Sequence, residues 1–214
     1  MEAVTVEAYS LKFVVDENAK FIVEEDYEPF MKDVVKLRPG AVFVDVGAHV
    51  GKYSFFASKQ VGRSGVVVAI EPHPENMAKL KKGISLNALS NVVAVQRACS
   101  DYRGLGFLKE HELSAKHELS QENTRVKVEV DTLDRILPSL QIGKVSMVKI
   151  DVNGCEYEVL QGASKTLEES KPPLIVEVAL NNKTRVFGYL KTLGYHPTML
   201  SETKRYWNVL FGFA

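Results

Sequence analysis

Residues 41–51 read Ala-Val-Phe-Val-Asp-Val-Gly-Ala-His-Val-Gly, and Lys52-Tyr53-Ser54 follow them. The apolar run is long enough for one fully buried parallel strand that ends at Asp45-Val46, and the glycines Gly47 and Gly51 then predict a turn onto a helix. In open parallel sheets, nucleotide-like ligands bind just past the carboxyl end of such a strand, because helix N-terminal amides point there. The stretch therefore predicts a strand, a turn and a helix that together bind such a ligand.

The spacing of the glycines excludes two common nucleotide motifs. A dinucleotide fingerprint, G-x-G-x-x-G, would need glycine where His49 and Lys52 stand, and no G-x-x-x-x-G-K-[ST] phosphate loop occurs in the chain. Asp45 would repel a pyrophosphate, but it suits a ligand with a cationic amino-acid end, such as S-adenosylmethionine (SAM). We therefore expect the turn Gly47-Ala48, together with Gly51, to bind SAM. The alternative is that the glycines only permit a tight turn.

The second buried strand, Gly65 to Glu71, ends in an acid that Pro72 follows. Glu71 lies 24 positions after Gly47, close to the spacing at which a carboxylate at the second strand's end accepts hydrogen bonds from both ribose hydroxyls. An ordinary charge at a strand end is the alternative reading of Glu71. Its combination with the turn favours a nucleoside site that includes Glu71 and Pro72.

A third strand, Val92–Val95, is followed by Ala98-Cys-Ser-Asp101. In a doubly wound sheet this third loop would meet the adenine, so Ser100 and Asp101 are candidates for binding its exocyclic amine. Polar residues are common in any turn, and that explanation stays open.

Candidate catalytic carboxylates follow the next two strands. Val145 to Ile150 delivers Asp151 to the same sheet edge as the glycine turn, and Pro172 to Val178 carries Glu177. Glu156 stands in the first turn of the intervening helix, where a helix-dipole role is equally open. Each of these carboxylates could act as general base toward a methyl acceptor. Asp151 and Asn153 offer only two oxygen ligands for Mg²⁺, so we assign no metal.

The two ends of the chain differ in what they predict. Residues 1–40 are expected to form an extension with a hairpin, Leu11–Val15 and Lys20–Val23, and a helix from Tyr27 to Leu37. This extension would pack on the sheet or close over the substrate. Residues 41–214 are expected to form the main domain, which ends in an antiparallel pair of strands, Tyr195–Leu200 and Tyr206–Phe213.

The charged stretch from Lys109 to Asn123 interrupts the regular pattern of strands and helices. Its His111 and His117 lie six positions apart, which is not a metal-ligand spacing on a helix. The stretch is expected to be a solvated loop or to form the acceptor side of the pocket.

Composition narrows the class of protein. The chain has 214 residues, with 27 Lys and Arg against 27 Asp and Glu, so no global field attracts nucleic acid or a membrane surface. Its two cysteines, Cys99 and Cys155, have no partner at metal-ligand spacing. No signal peptide or membrane-length apolar run is visible. The composition therefore predicts a soluble cytoplasmic protein.

Several motifs together resemble one known family. The chain is similar to the FkbM family of SAM-dependent methyltransferases in Val44–Gly51, Val68–Pro74, Asn87–Asn91, Thr132–Asp134, Val148–Glu156 and Val159–Ala163. The block Lys-Ile-Asp-x-x-Gly-x-Glu is the discriminating motif. The chain departs from the usual family form at His49, Asn153 and Cys155, where asparagine, glutamate and alanine respectively are common.

The resemblance implies a fold and an activity. It implies a Rossmann-like, class I α/β fold, with a mostly parallel seven-stranded sheet whose last strand is antiparallel. It also implies a SAM-dependent methyltransferase, often acting on oxygen, and we expect a small-molecule or glycan acceptor. An RNA methyltransferase is an alternative, although the chain has no basic excess and no N-P-P-[YF] motif. A non-catalytic SAM- or nucleotide-binding module is another.

Overall fold

The computed structural model describes residues 3–120 and 124–213, which form an α/β fold. The strands are β1 (Ala3–Ala8), β2 (Leu11–Asp16), β3 (Val42–Val46), β4 (Val66–Ile70), β5 (Val92–Val95), β6 (Ala98–Cys99), β7 (Gly104–Lys109), β8 (Glu118–Ser120), β9 (Val126–Asp131), β10 (Met147–Ile150), β11 (Leu174–Ala179), β12 (His196–Glu202) and β13 (Tyr206–Gly212). The helices are α1 (Met31–Val34), α2 (Lys52–Val61), α3 (Pro74–Leu86), α4 (Leu133–Ser139), α5 (Glu156–Gln161), α6 (Ser164–Ser170) and α7 (Lys183–Thr192), with 3-10 turns at Glu17–Val23 and Ser114–Lys116.

The central sheet has seven strands in the order β12-β13-β11-β10-β3-β4-β5. Strand β3 lies in its middle and pairs in parallel with β10 on one side and β4 on the other. Strand β13 runs antiparallel to both of its neighbours, β11 and β12. This arrangement confirms the predicted mostly parallel sheet with an antiparallel last strand.

The middle strands are continuous apolar runs because helices cover both faces of the sheet. Val44, Val148 and Val176 on adjacent strands are fully buried in one core cluster. Phe43 on β3 and Ile175 on β11 point to the other face of the sheet, where they belong to a second core cluster with helix α2. Because the strands are parallel, their carboxyl ends meet at one edge, and that edge holds the cleft described below.

A second sheet, in the order β6-β9-β7-β8, stands beside the central one. Its two longest strands are β7 and β9. Residues 110–117 connect β7 to β8, and we call this segment the strap. The last part of the predicted insert, residues 121–123, lies outside the described residues.

The N-terminal segment differs from its prediction. Its hairpin pairs β1 with β2, so Lys20–Val23 is not a strand and instead lies in the 3-10 turn Glu17–Val23. Ala19, Ile22 and Val23 are the buried residues of this turn, and their helical spacing explains the difference from the alternation of a strand. The helix predicted from Tyr27 to Leu37 is only α1, because Glu28 has a left-handed backbone (φ +53°) that a helix cannot contain.

Two features bear on the predicted environment of the protein. Within residues 3–120 and 124–213, no helix combines the length and apolar character needed to cross a membrane. Cys99 and Cys155 are both free thiols.

Candidate active site

A cleft opens at the carboxyl ends of the central strands. Its volume is about 1200 Å³, which includes the open solvent at its mouth. The loops after β3, β4 and β10, together with Glu177 on β11, form its floor and walls, the strap covers one side, and the N-terminal turn around Tyr27 covers the other. A ligand in this cleft is therefore enclosed by the sheet edge, the insert and the extension.

The glycine turn after β3 brings its backbone against the loop after β10. The amides of Gly47 and Ala48 both donate to the Ile70 carbonyl at 2.9 Å. Gly47 has φ +80°, and a Cβ atom there would lie 1.8 Å from the carbonyl oxygen of Asp151. Only glycine fits this position, so the residue type is required for the close approach of the two loops.

Gly51 has a different role from the one expected. A Cβ atom on Gly51 would lie 2.6 Å from the Phe55 ring and 2.7 Å from Leu80. Gly51 does not line the cleft, and its small size instead allows helices α2 and α3 to pack closely.

Glu71 lies at the end of β4 on the floor of the cleft. One carboxylate oxygen accepts from the His49 amide at 2.8 Å, and the other accepts from the His73 amide at 2.9 Å. Burial raises the pKa of Glu71 to about 7. Oε1 also accepts a longer hydrogen bond from the Asn76 side-chain amide at 3.5 Å, so the lone pair that remains for a ligand is on Oε2. Asn76, which is 2% exposed in the same wall, has a buried side-chain oxygen without a partner.

Lys149 connects two acids at the ends of neighbouring strands. Its Nζ lies 3.0 Å from Asp151 Oδ2 and 3.8 Å from Asp45 Oδ1, and it stacks over the Tyr53 ring at 4.8 Å. Burial lowers the pKa of Lys149, but Asp151 and Asp45 outweigh that effect and leave the pKa above its ordinary value. Lys149 is therefore a fixed cation beneath the cleft.

Asp45 lies behind the cleft and does not line it. It is fully buried, and its Oδ2 accepts from the Ser54 hydroxyl at 2.6 Å. Burial raises its pKa. Its side chain contacts Lys149 and Ser54 at the start of α2, and it is not among the residues that line the cleft.

Three carboxylates line the end of the cleft away from Glu71. Asp151 and Glu177 come from adjacent strand ends, and Glu28 comes from the N-terminal turn. Burial, followed by the charges of Asp151 and Glu28, raises the pKa of Glu177 well above its ordinary value. The hydroxyls of Tyr27 and Tyr206 interact with each other at the same end. This end of the cleft can hold and exchange a proton.

The other predicted site residues divide into two groups. Pro72 lines the cleft, as do Gly47, Ala48, Glu71, Asp151 and Glu177. Ser100 and Asp101 do not line it: the Ser100 hydroxyl donates to Asp101 at 3.2 Å, and Ala98 and Cys99 form that part of the wall.

Glu156 also lies away from the cleft, and it is 1% exposed. Its carboxylate accepts from the Gly154 amide at 2.5 Å and from the Asn182 side chain at 2.8 Å. These contacts order the loop after β10.

The strap is held by polar contacts from His49, Asn76 and Asn153. His49 Nε2 lies 2.9 Å from the Ser114 hydroxyl, and Asn76 donates to the Ser114 carbonyl at 3.2 Å. Asn153 donates to the carbonyls of Ala115 (3.0 Å) and His117 (3.3 Å). The strap therefore covers Glu71 and the glycine turn. Burial lowers the pKa of His49 to about 3.

Sequence reasoning missed several residues of the cleft. The missed residues are Tyr27, Glu28, Lys52, Tyr53, Lys149 and Tyr206. Lys149 had a signal, because it is a lysine inside an otherwise apolar buried strand. No local pattern marked Tyr27 or Glu28, whose place in the cleft depends on contacts with distant parts of the chain.

The chemistry of the cleft fits a nucleoside joined to an amino acid. The floor offers an oriented carboxylate at Glu71 and an apolar wall at Ala98 and Cys99. The glycine turn has no phosphate-binding lysine of a P-loop. Among the described residues, no group of three or more His, Cys, Asp or Glu side chains is placed to hold a metal ion. The arrangement suits SAM better than a nucleotide phosphate.

Comparison with known sequences gives independent information. Residues 45–205 match the profile of the methyltransferase FkbM domain. The chain is 26% identical over 193 residues to methyltransferase sdnD of Sordaria araneosa, covering 74% of each chain. It is 28% identical over 139 residues to the hexuronic acid methyltransferase AglP of Haloferax volcanii, covering 64% of this chain and 55% of that protein.

Comparison with solved structures supports the fold. A precorrin-6y C5,15-methyltransferase from Geobacter metallireducens superposes with a TM-score of 0.63 at 15% identity and covers 94% of both chains. A methyltransferase FkbM from Methylobacillus flagellatus gives 0.57 at 17% identity, covering 92% of this chain and 55% of that chain. At these identities the likeness establishes the class I methyltransferase fold alone.

Proposed function

This chain belongs to the FkbM family of methyltransferases, whose methyl donor is SAM, and we propose that it methylates an oxygen of a small-molecule or glycan acceptor. The observation that carries the proposal is the position of Asp151. Asp151 lines the same cleft as the glycine turn, and its backbone carbonyl lies against Gly47. SAM, when bound, supplies an electrophilic methyl group on a sulfonium.

The floor of the cleft is proposed to bind the nucleoside. Glu71 accepts from the ribose hydroxyls through Oε2, where the His49 amide leaves a lone pair free, and through Oε1 when the long Asn76 hydrogen bond is displaced. Ala98 and Cys99 are proposed to contact the adenine through apolar surface. Gly47 and Ala48 let the chain approach the amino-acid end of the ligand closely.

The carboxylate end is proposed to bind the acceptor. Asp151 takes the proton from the acceptor hydroxyl as that oxygen attacks, and Lys149 Nζ at 3.0 Å holds the Asp151 carboxylate in place. Glu177, whose pKa burial raises, is the protonated partner that donates a hydrogen bond to the acceptor. Alignment of the acceptor in the enclosed cleft supplies much of the remaining rate.

A sugar-like acceptor is supported by one relative. The Haloferax volcanii relative is named for a hexuronic acid, and tyrosine hydroxyls with carboxylates, as at Tyr27, Tyr206 and Asp151, suit an acceptor with several hydroxyl groups. The balance of basic and acidic residues in this chain weighs against RNA.

The experiment is methyl transfer from tritiated SAM to sugars, polyols, small phenols and bulk tRNA in parallel. Label on an oxygen of a small acceptor supports the proposal, and transfer to tRNA alone would replace it with the RNA alternative. Binding of S-adenosylhomocysteine by calorimetry with no labelled product across extracts and pH would instead indicate a non-catalytic module.

A further inference from the structure

The N-terminal turn contributes to the cleft although it lies outside the region that matches the family. The match begins at residue 45, whereas Ile22, Tyr27 and Glu28 line the cleft. These residues come from the segment between the hairpin and β3. The wall that they form is therefore a feature of this chain that the family match does not describe.

Helix α2 fixes the turn in position. Lys52, the first residue of α2, donates from Nζ to the carbonyl of Glu24 at 3.1 Å and to the carbonyl of Tyr27. Lys52 is 4% exposed and stacks over the Tyr27 ring at 4.9 Å. Because two carbonyls of one turn share a buried ammonium, Glu28 cannot turn away from the cleft without breaking these contacts.

The backbone of Glu28 is held in a costly conformation. Its φ of +53° is in the left-handed region, which costs a non-glycine residue about 1 kcal/mol or more. The Glu28 carboxylate interacts with the hydroxyl of Tyr53, a residue that is 4% exposed in the same wall. The turn thus presents a carboxylate to the end of the cleft where Asp151 and Glu177 lie.

Carboxyl groups outnumber cations at this end of the cleft. Glu28, Asp151 and Glu177 face one another, and the buried cation among them, Lys149, is already shared between Asp151 and Asp45. Lys52 is directed to backbone carbonyls.

The other two cations that line the cleft lie elsewhere in it. Arg97 pairs with Glu129 at 3.0 Å, and Lys116 is exposed on the strap. Among the described residues that line the acceptor end, no free cation is placed to pair with an acidic substrate.

We propose that Glu28 is a specificity-determining residue, which selects a polyhydroxylated acceptor of the sugar or polyol class that carries no carboxylate. This inference rests on the proposed function. A carboxylate on the acceptor would lie against like charges in a partly desolvated site and find no cation to pair with. Hydroxyl groups can instead donate to Glu28 and Asp151 and accept from Tyr27.

The test uses the full chain with three matched sugars: a methyl hexoside, the corresponding uronate and the corresponding amino sugar. Methyl transfer from tritiated SAM is measured with each. The expected kcat/KM for the neutral hexoside exceeds that for the uronate by about tenfold or more. Glu28→Gln is expected to narrow that ratio by about tenfold, mainly by improving the uronate. Glu24→Gln, which removes an exposed carboxylate from the same turn, should leave the ratio unchanged.

Binding provides a readout that does not need turnover. Saturation-transfer NMR with the S-adenosylhomocysteine complex should show the hexoside bound and the uronate not bound. A preference for the uronate over either of the other two sugars, no binding of the hexoside, or equal effects of Glu24→Gln and Glu28→Gln would overturn the inference. If the hexoside binds but no tritium is transferred to an oxygen of any of the three sugars, the proposed function would be overturned. The selection against a carboxylate would not be affected by that result.

Discussion

A Cβ atom placed on Gly47 would lie 1.8 Å from the carbonyl oxygen of Asp151, so the turn after β3 and the loop after β10 touch backbone to backbone. Both residues line the cleft, and in the proposed function this contact joins the cofactor wall at Gly47 to the acceptor end at Asp151. The distance between donor and acceptor groups is therefore set by the sheet itself.

Gly47→Ala should disrupt this contact. The substitution adds both a clash with Asp151 and a left-handed alanine at φ +80°, so we expect the free energy of unfolding to fall by about 2 kcal/mol or more. Gly188→Ala is the control, because Gly188 lies in helix α7 with open space around it and alanine there should raise stability by about 0.5 to 1 kcal/mol. Urea unfolding measures both, and equal stability of the two variants would refute the contact.

Lys149→Met should destabilise the protein more than any exposed charge change. The substitution leaves Asp45 and Asp151 without their shared cation, and removal of one partner of a buried pair costs about 3 kcal/mol or more. Lys165→Met removes an exposed pair with Glu169 and should change the free energy of unfolding by less than about 0.5 kcal/mol. A similar cost for both variants, measured by urea unfolding, would mean that Lys149 is not the link between the strand ends.

The affinity for S-adenosylhomocysteine should depend on pH through Glu71. Its pKa is raised from 4.5 to about 7 by burial, and the ionised carboxylate accepts ribose hydrogen bonds better than the protonated one. Affinity is therefore expected to rise as pH increases through 7.

Calorimetry from about pH 5 to about pH 9 measures this dependence. Glu71→Gln should bind about tenfold more weakly at high pH and lose most of the pH dependence. If the wild-type affinity does not change with pH across this range, the assignment of Glu71 to ribose binding would be wrong.

The same pKa shift predicts a dependence of stability on pH. Between pH 4.5 and about 7, the folded state holds a proton on Glu71 that the unfolded state has released. The contribution of Glu71 to the free energy of unfolding is therefore largest below 4.5 and is lost as pH rises to about 7. Glu71→Gln should flatten this part of the stability curve, and an unchanged slope in urea unfolding across that interval would contradict the shift.

Asn153→Ala should loosen the strap. It removes the two hydrogen bonds to the carbonyls of Ala115 and His117, so we expect S-adenosylhomocysteine to dissociate about fivefold faster. Amide hydrogen exchange in residues 111–119 should rise as well. Asn181→Ala, at an exposed neighbouring asparagine, is the control. Unchanged exchange in the strap would show that Asn153 does not hold it.

The sequence predicted the parts of the fold that depend on local pattern. Buried parallel strands are continuous apolar runs, so the strands before Gly47, Glu71 and Asp151 were identified together with the edge at which they meet. Glu156 shows the limit of this reasoning, because an acid in a first helical turn has the same local pattern whether it faces a substrate or a loop. Its bond to Asn182 decides for the loop.

Contacts between distant residues could not be predicted from the chain. Tyr27 and Glu28 reach the cleft because Lys52, about 25 positions later, bonds the carbonyls of their turn. His49 contacts Ser114 across 65 positions. Such contacts depend on the packing of the whole domain, which hydrophobic periodicity does not encode.

The central claim is that Asp151 removes the proton from an acceptor hydroxyl in a SAM-dependent methyl transfer. The most direct measurement is the rate of tritium transfer from SAM to acceptor oxygen by Asp151→Asn, with Asp33→Asn as an exposed control. We predict that kcat falls by about 10² or more while S-adenosylhomocysteine affinity stays within about threefold of the wild-type value. An Asp151→Asn variant that transfers label to oxygen at the wild-type rate would contradict this account.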